Sequence, residues 1–144
     1  MTEVHVIVGI AVLVTNFGVA AWGGVSWLSD RPSVGFWYLL RVAQVSVLVQ
    51  AAIGGILLAS GREPSEGLHL VYGLLPIVIA AAAEGVRAGA AERELGETDF
   101  HALERQRQRA VAYAIVRRET AIMAGSCAVI FLLALRAAFV SPVV

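Results

Sequence analysis

Long apolar runs separated by short polar segments dominate the chain. Three of these runs, Val6 to Leu28, Phe36 to Ser60 and Thr120 to Val140, are each long enough to cross a membrane as a helix. A hydrocarbon core about 30 Å thick requires roughly 20 helical residues. A fourth run begins at Leu68, is shorter, and continues helically through Glu84. The pattern therefore predicts four transmembrane helices.

We predict an all-α integral membrane protein whose single domain, residues 1–144, is an up-down-up-down four-helix bundle. The expected helices cover about residues 5–28, 35–60, 67–89 and 119–140, with a cytoplasmic segment at about 90–118. The composition also indicates a membrane protein, because 58% of the residues are hydrophobic and only 15% are charged. Soluble proteins have about 25% charged residues. The opening "MTEVH" lacks a basic residue, so the first run is expected to be a retained helix, not a signal peptide.

The distribution of arginine predicts the orientation, since the chain contains no lysine. The loop between helices two and three holds Arg62. The segment between helices three and four is much richer and holds Arg93, Arg105, Arg107, Arg109, Arg117 and Arg118. Basic loops stay in the cytoplasm, so both termini are expected outside. We predict a multi-pass protein of the bacterial cytoplasmic (inner) membrane.

The cytoplasmic segment contains the motif "GETD", where Thr98 or Asp99 is suited to cap a following helix. The stretch "HALERQRQRAVAYAIVRRE" then mixes arginines with apolar residues, which predicts an amphipathic helix that leads into helix four. Its arginines suit anionic lipid headgroups or a protein partner. The alternative is a solvated helix that only satisfies the positive-inside bias.

Arg41 and Glu84 are charged residues within the apolar runs, where an unpaired charge is costly. Arg41 is near the cytoplasmic start of helix two, and Glu84 is at a similar depth in antiparallel helix three. We predict that they form a structural ion pair, with Gln44 adding a hydrogen bond. The competing interpretation is a proton path through Glu84 in a small transporter, but a carboxylate held by arginine is poorly suited to exchanging protons.

A second polar cluster is expected at the outer end of the bundle. His5 opens helix one and His69 opens helix three, so both imidazoles can lie at one depth and supply two ligands to one iron. The remaining candidate residues at this end are Gln50 and Gly54 on helix two, Tyr72 one turn after His69, and Arg136 on helix four. Arg136 could pair with Glu63, with Glu66 or with the carboxylates of a bound porphyrin. The alternative is that both histidines are interfacial residues without a ligand.

The order of these motifs resembles one four-helix half of heme A synthase. A histidine opens one helix, "QAAIGG" lies in the next, and "LHLVYG" opens the third, over residues 1–80. The resemblance implies that His5 and His69 are heme ligands and that the segment from Gln50 to Gly54 lines the pocket. The family has two such bundles and a cysteine-bearing outer loop, so for this single bundle the resemblance implies heme binding and not methyl-group oxidation.

The chain also resembles small actinobacterial membrane proteins of uncharacterised activity, which share "RRE" before the last helix and "LALRAA" within it. The first resemblance implies a cytochrome b-like role for heme b, in electron transfer or heme handling, with a quinone or a redox protein as partner. A homo-oligomer is also considered, and nucleic acid is not expected as a partner.

The competing class of function is a non-catalytic accessory subunit that binds a partner through its arginine-rich helix. No catalytic residue is assigned, and Cys127 is expected to be an inert buried thiol.

Overall fold

The computed structural model describes residues 2–61, 67–96 and 98–140. Within these residues the chain forms four α-helices: α1 (Thr2–Leu28), α2 (Val34–Ala59), α3 (Leu68–Leu95) and α4 (Arg105–Val140). A 3-10 turn, Phe100–Ala102, precedes α4. All four helices are long and apolar enough to cross a membrane. The prediction of an all-helical protein with four such helices is therefore confirmed.

The helices pack as an antiparallel bundle in which α1 contacts α2 and α4, and α4 also contacts α3. Contacts between α2 and α3 are much sparser. The hydroxyl groups of Thr15 and Ser46 share a hydrogen bond of 3.2 Å between α1 and α2. We call the end of the bundle that contains His5 the histidine end, and the opposite end, which contains Arg41, the arginine end.

The core divides into two groups of buried apolar side chains. The larger group is nearer the arginine end and comprises Val19, Phe36, Leu40, Ala43, Ala83, Met123, Ala124 and Cys127. The smaller group, nearer the histidine end, comprises Val12, Val47 and Ile130. Asn16 is also buried, and its side-chain amide donates to the carbonyl of Val12 in its own helix at 2.9 Å. The core thus thins toward the histidine end.

Large apolar side chains cover the outside of the bundle. Ile7, Val14, Leu74, Val78 and Leu132 are all more than half exposed. Such a surface is unfavourable in water, whereas lipid tails are as apolar as leucine side chains. This surface agrees with a multi-pass membrane protein.

Helix α4 is longer than a membrane span. Its 36 residues correspond to about 54 Å at 1.5 Å per residue, against a hydrocarbon core of about 30 Å. The arginine-rich segment expected before helix four is the first part of this same helix, because no glycine or proline interrupts residues 105–119. Helix α3 likewise extends beyond its expected end at residue 89, to Leu95, where Gly96 ends it with a φ of +56°.

The loop between α1 and α2 is fixed to α4. The Tyr113 hydroxyl donates to the carbonyl of Asp30 at 2.6 Å, and Nε of Arg117 donates to the Asp30 carboxylate at 2.6 Å. The Arg117 guanidinium also lies over the ring of Trp27, 5.2 Å from its centroid. Asp30 itself has a φ of +54°, which aspartate tolerates better than most residues. These contacts join the extended part of α4 to the arginine end of α1.

Glycine allows the closest contact of α1 with its neighbours. A Cβ atom at Gly23 would lie 2.5 Å from the ring of Phe36 and 2.7 Å from Cβ of Ala124. Both distances are too short for real atoms, and both neighbours are buried in the larger core group. The adjacent Gly24 is a natural comparison, because a Cβ there would meet nothing within 4 Å.

We therefore expect Gly23→Ala to destabilise the bundle by about 1–3 kcal/mol through overpacking. Gly24→Ala removes a glycine from the same helix without a clash, so its effect should be small or stabilising. Thermal unfolding of the two purified variants in detergent measures the difference. Equal midpoints for both variants would contradict close packing at Gly23.

Candidate functional site

Three polar side chains meet at the histidine end. His5 comes from α1, Gln50 from α2 and His69 from α3. The ring centroids of His5 and His69 are 6.1 Å apart, and their planes are tilted by 54°. The side-chain amide nitrogen of Gln50 lies 3.2 Å from Nε2 of His5. The structure thus brings together both predicted histidine ligands and Gln50.

Glycines on the facing helices make room for this cluster. A Cβ at Gly54 of α2 would lie 3.4 Å from Cε1 of His5, and a Cβ at Gly9 of α1 would lie 3.2 Å from Nε2 of Gln50. Each polar side chain therefore packs over a glycine of the other helix. In both helices the glycine follows the polar residue by four positions, one helical turn. Sequence analysis selected Gly54 but missed Gly9, although this repeated spacing was visible.

Two buried atoms of the cluster have no hydrogen-bond partner within the described residues: Nδ1 of His5 and Oε1 of Gln50. Leaving a buried polar atom unsatisfied costs about 1–3 kcal/mol. Most buried polar groups in proteins have partners, so such an exception requires an explanation. A ligand at this position would supply the partners that the described side chains do not.

The arrangement of the imidazoles suits a shared metal ion. A nitrogen ligand bonds a metal at about 2.0–2.1 Å, so two imidazoles on opposite sides of one ion have centroids roughly 6 Å apart. The observed separation is 6.1 Å, and Nδ1 of His5 has no competing partner among the described side chains. The separation of the two rings, taken alone, therefore agrees with the distance expected for two-histidine coordination. No group of three or more His, Cys, Asp or Glu side chains suited to a metal occurs in the described residues.

Tyr72 and Arg136 are the other residues selected at this end. Tyr72 is partly buried one turn after His69. Arg136 is exposed near the end of α4 and makes no hydrogen bond or ion pair within the described residues. Glu63 and Glu66, its expected partners, lie outside the described residues.

The second cluster lies at the arginine end and centres on Glu84. Its Oε1 accepts from Nη1 of Arg41 at 2.7 Å and from the amide of Gln44 at 2.7 Å, while its Oε2 accepts from Nε of Arg87 at 2.7 Å. Arg87 also reaches Glu119 of α4, at 3.5 Å. The predicted pair of Arg41 and Glu84 thus belongs to a larger network that joins α2, α3 and α4.

Sequence reasoning missed two members of this network. Arg87 was not selected, although its position one turn after Glu84 places both side chains on one face of α3. Glu119 was not selected either. The network holds two arginines and two carboxylates, so its formal charges balance, which favours a structural role.

No protein-family model matches the sequence, and no curated protein or solved structure shows significant similarity to the chain.

We expect Glu84→Gln to destabilise the protein more than Arg41→Gln. Removing the charge of Glu84 leaves the partly buried Arg87, which is 26% exposed, with only the carboxylate of Glu119 at 3.5 Å. The loss should approach, without reaching, the cost of about 1–3 kcal/mol for a fully buried unsatisfied group. The Arg41 side chain is 55% exposed, and exposed ion pairs contribute about 0–1 kcal/mol.

Thermal unfolding in detergent compares these variants with Glu92→Gln. Glu92 is exposed and has no partner within the described residues, so this control should unfold at the wild-type temperature. A larger loss for Arg41→Gln than for Glu84→Gln would contradict the central position of Glu84.

Proposed function

We propose that this protein binds heme b through His5 and His69, and that it serves electron transfer or heme handling at the outer face of a bacterial cytoplasmic membrane. The observation that carries the proposal is the convergence of the two imidazoles, 6.1 Å apart, beside a buried and unpartnered ring nitrogen. A heme iron takes four nitrogens from its porphyrin, so two histidines complete its coordination. The order of motifs, which resembles that of one half of heme A synthase, supports the same proposal.

The residues around the imidazoles have separate roles in this proposal. His5 and His69 would hold the iron from α1 and α3. Gly54 leaves space beside the His5 ring, and Gln50 fixes the orientation of that ring by its contact with Nε2. Arg136 and Tyr72 would lie at the rim, where arginine suits the propionate carboxylates. Bound heme b with two imidazole ligands supplies one-electron chemistry, and a quinone or a redox protein is the expected exchange partner.

The visible spectrum of the detergent-purified protein tests the proposal directly. After expression with added heme precursor, wild-type protein should show a six-coordinate, low-spin heme in both the oxidised and the reduced state. His5→Ala and His69→Ala should each lose the heme or convert it to a high-spin form, because one axial ligand is removed.

His101→Ala provides the matched control. This third histidine lies in the 3-10 turn before α4, far along the chain from both candidate ligands, so the variant should keep the wild-type spectrum. A wild-type protein that stays colourless with heme supplied would overturn the proposal, as would an unchanged spectrum in both ligand variants.

A second candidate function is an accessory subunit that binds a partner through the arginine-rich part of α4. Arg105, Arg107 and Arg109 make no hydrogen bond or ion pair within the described residues, and they lie on a helix that extends beyond a membrane span. For this function we expect a co-purifying protein that is lost when all three are changed to glutamine, and retained when Arg136 is changed instead.

A further inference from the structure

Both nitrogens of the His5 ring are covered in this structure. Nε2 contacts the amide nitrogen of Gln50 at 3.2 Å, and Nδ1 is buried. A ligand as wide as a porphyrin can therefore reach this ring only if a neighbouring element moves. We propose that the first two turns of α3, residues 68–75, are a gate that bends at Gly73 and Pro76 and opens the histidine cluster toward lipid. The gate rests on the proposed heme site, because it describes how that site is reached.

The gate is held less firmly than the rest of α3. Among residues 68–75, only His69 and Tyr72 are even partly buried. Pro76 is the first buried residue of α3, and the residues that follow it pack against the smaller core group: Ile77, Ile79 and Ala80. Farther along, Glu84 fixes the helix by its hydrogen bonds with α2. The helix is thus anchored from Pro76 onward, while the gate is attached mainly through two side chains.

Gly73 and Pro76 supply the hinge between these two parts. Proline has no N–H, so Pro76 cannot donate to the carbonyl of Tyr72, four residues earlier, and its ring crowds that carbonyl. Gly73 lies between them, where a Cβ would meet nothing within 4 Å, so no close neighbour resists a bend at this point. The other three helices contain no proline, which makes α3 the helix best suited to bend.

The direction of opening follows from the contacts at the histidine end. Helices α1 and α2 are joined there by His5 and Gln50, and α1 and α4 by the rings of Phe17 and Phe131, whose centroids are 5.3 Å apart. Contacts between α2 and α3 are much sparser. The space between α2 and α3 is therefore where the bundle opens most readily.

Opening the gate exposes little additional apolar surface. Its apolar side chains already face outward, and each is more than a third exposed: Leu68, Leu70, Val71, Leu74 and Leu75. Lipid tails are as apolar as these side chains, so the gate contacts lipid whether it is closed or open. The balance between the two positions is then determined mainly by His69, Tyr72 and the hinge.

Distances between nitroxide spin labels in heme-free protein test the gate. A Cys127→Ala background removes the native cysteine. One label is attached at Ile7→Cys on α1, which has few contacts with α3, and the second at Val71→Cys in the gate or at Val78→Cys beyond the hinge. All three labelled positions are more than half exposed. The pair with Val71 should give two populations of distances, and the pair with Val78 should give one.

The hinge variants Gly73→Ala and Pro76→Ala should reduce the open population. Alanine favours a helical backbone over glycine or proline by enough to lower it at least about fivefold. Gly55→Ala is the matched control, because a Cβ at this α2 position also meets nothing within 4 Å, and it should leave the distances to Val71 unchanged.

The rate of heme uptake by the purified protein, followed by its visible spectrum, gives the second readout. Gly73→Ala and Pro76→Ala should take up heme at least about fivefold more slowly than wild type. Both should reach the wild-type spectrum in the end, because His5 and His69 are intact. Gly55→Ala should load at the wild-type rate.

Three results would overturn the gate. The first is a single narrow distance to Val71 in wild type, and the second is a broad distribution that neither hinge variant narrows, which would indicate only a frayed helix end. The third is uptake at the wild-type rate in both hinge variants. A protein that never binds heme would refute the proposed function, while the label distances would still decide whether α3 bends. A heme protein with one fixed distance to Val71 would keep the proposed function and refute the gate.

Discussion

The carboxylate of Glu84 connects three of the four helices. It accepts hydrogen bonds from Arg41 and Gln44 on α2 and from Arg87 on its own helix, and Arg87 extends the network to Glu119 on α4. Apolar contacts between helices give little preference for one neighbour over lipid, so these directional bonds can fix the position of α3. They matter most for the α2–α3 pair, where other contacts are few.

The two ends of the bundle differ in how far their polar atoms are satisfied. At the arginine end, charges of both signs meet in one network, and the loop around Asp30 is tied to α4 by Tyr113 and Arg117. The histidine end has a smaller apolar core, and there two buried atoms, Nδ1 of His5 and Oε1 of Gln50, have no partner among the described residues. The polar side chains of the arginine end are thus paired with one another, whereas those of the histidine end are only partly paired within the described part of the chain.

The sequence predicted those features that depend on the membrane as a solvent. Apolar runs gave the four helices, and equal depth in antiparallel helices suggested that Arg41 lies near Glu84, as the structure has it. The helical arginine-rich stretch before helix four was also predicted, and residues 105–119, which contain no helix breaker, form one continuous helix with the apolar run that follows. The contact of Gln50 with His5 was missed, because hydropathy gives the depth of a side chain but not the direction in which it points around the helix.

That direction is set at the histidine end by two reciprocal pairs of residues. His5 packs over Gly54, and Gln50 packs over Gly9. On each helix the glycine follows the polar residue by one turn. Because α1 and α2 are antiparallel, the side chains of His5 and Gln50 therefore lie in the same narrow space. There the amide nitrogen of Gln50 contacts Nε2 of His5. A larger residue at either glycine would press on one member of the contact. The orientation of His5 therefore depends on two backbone positions as much as on its own chemistry, and its Nδ1 edge is left facing away from Gln50.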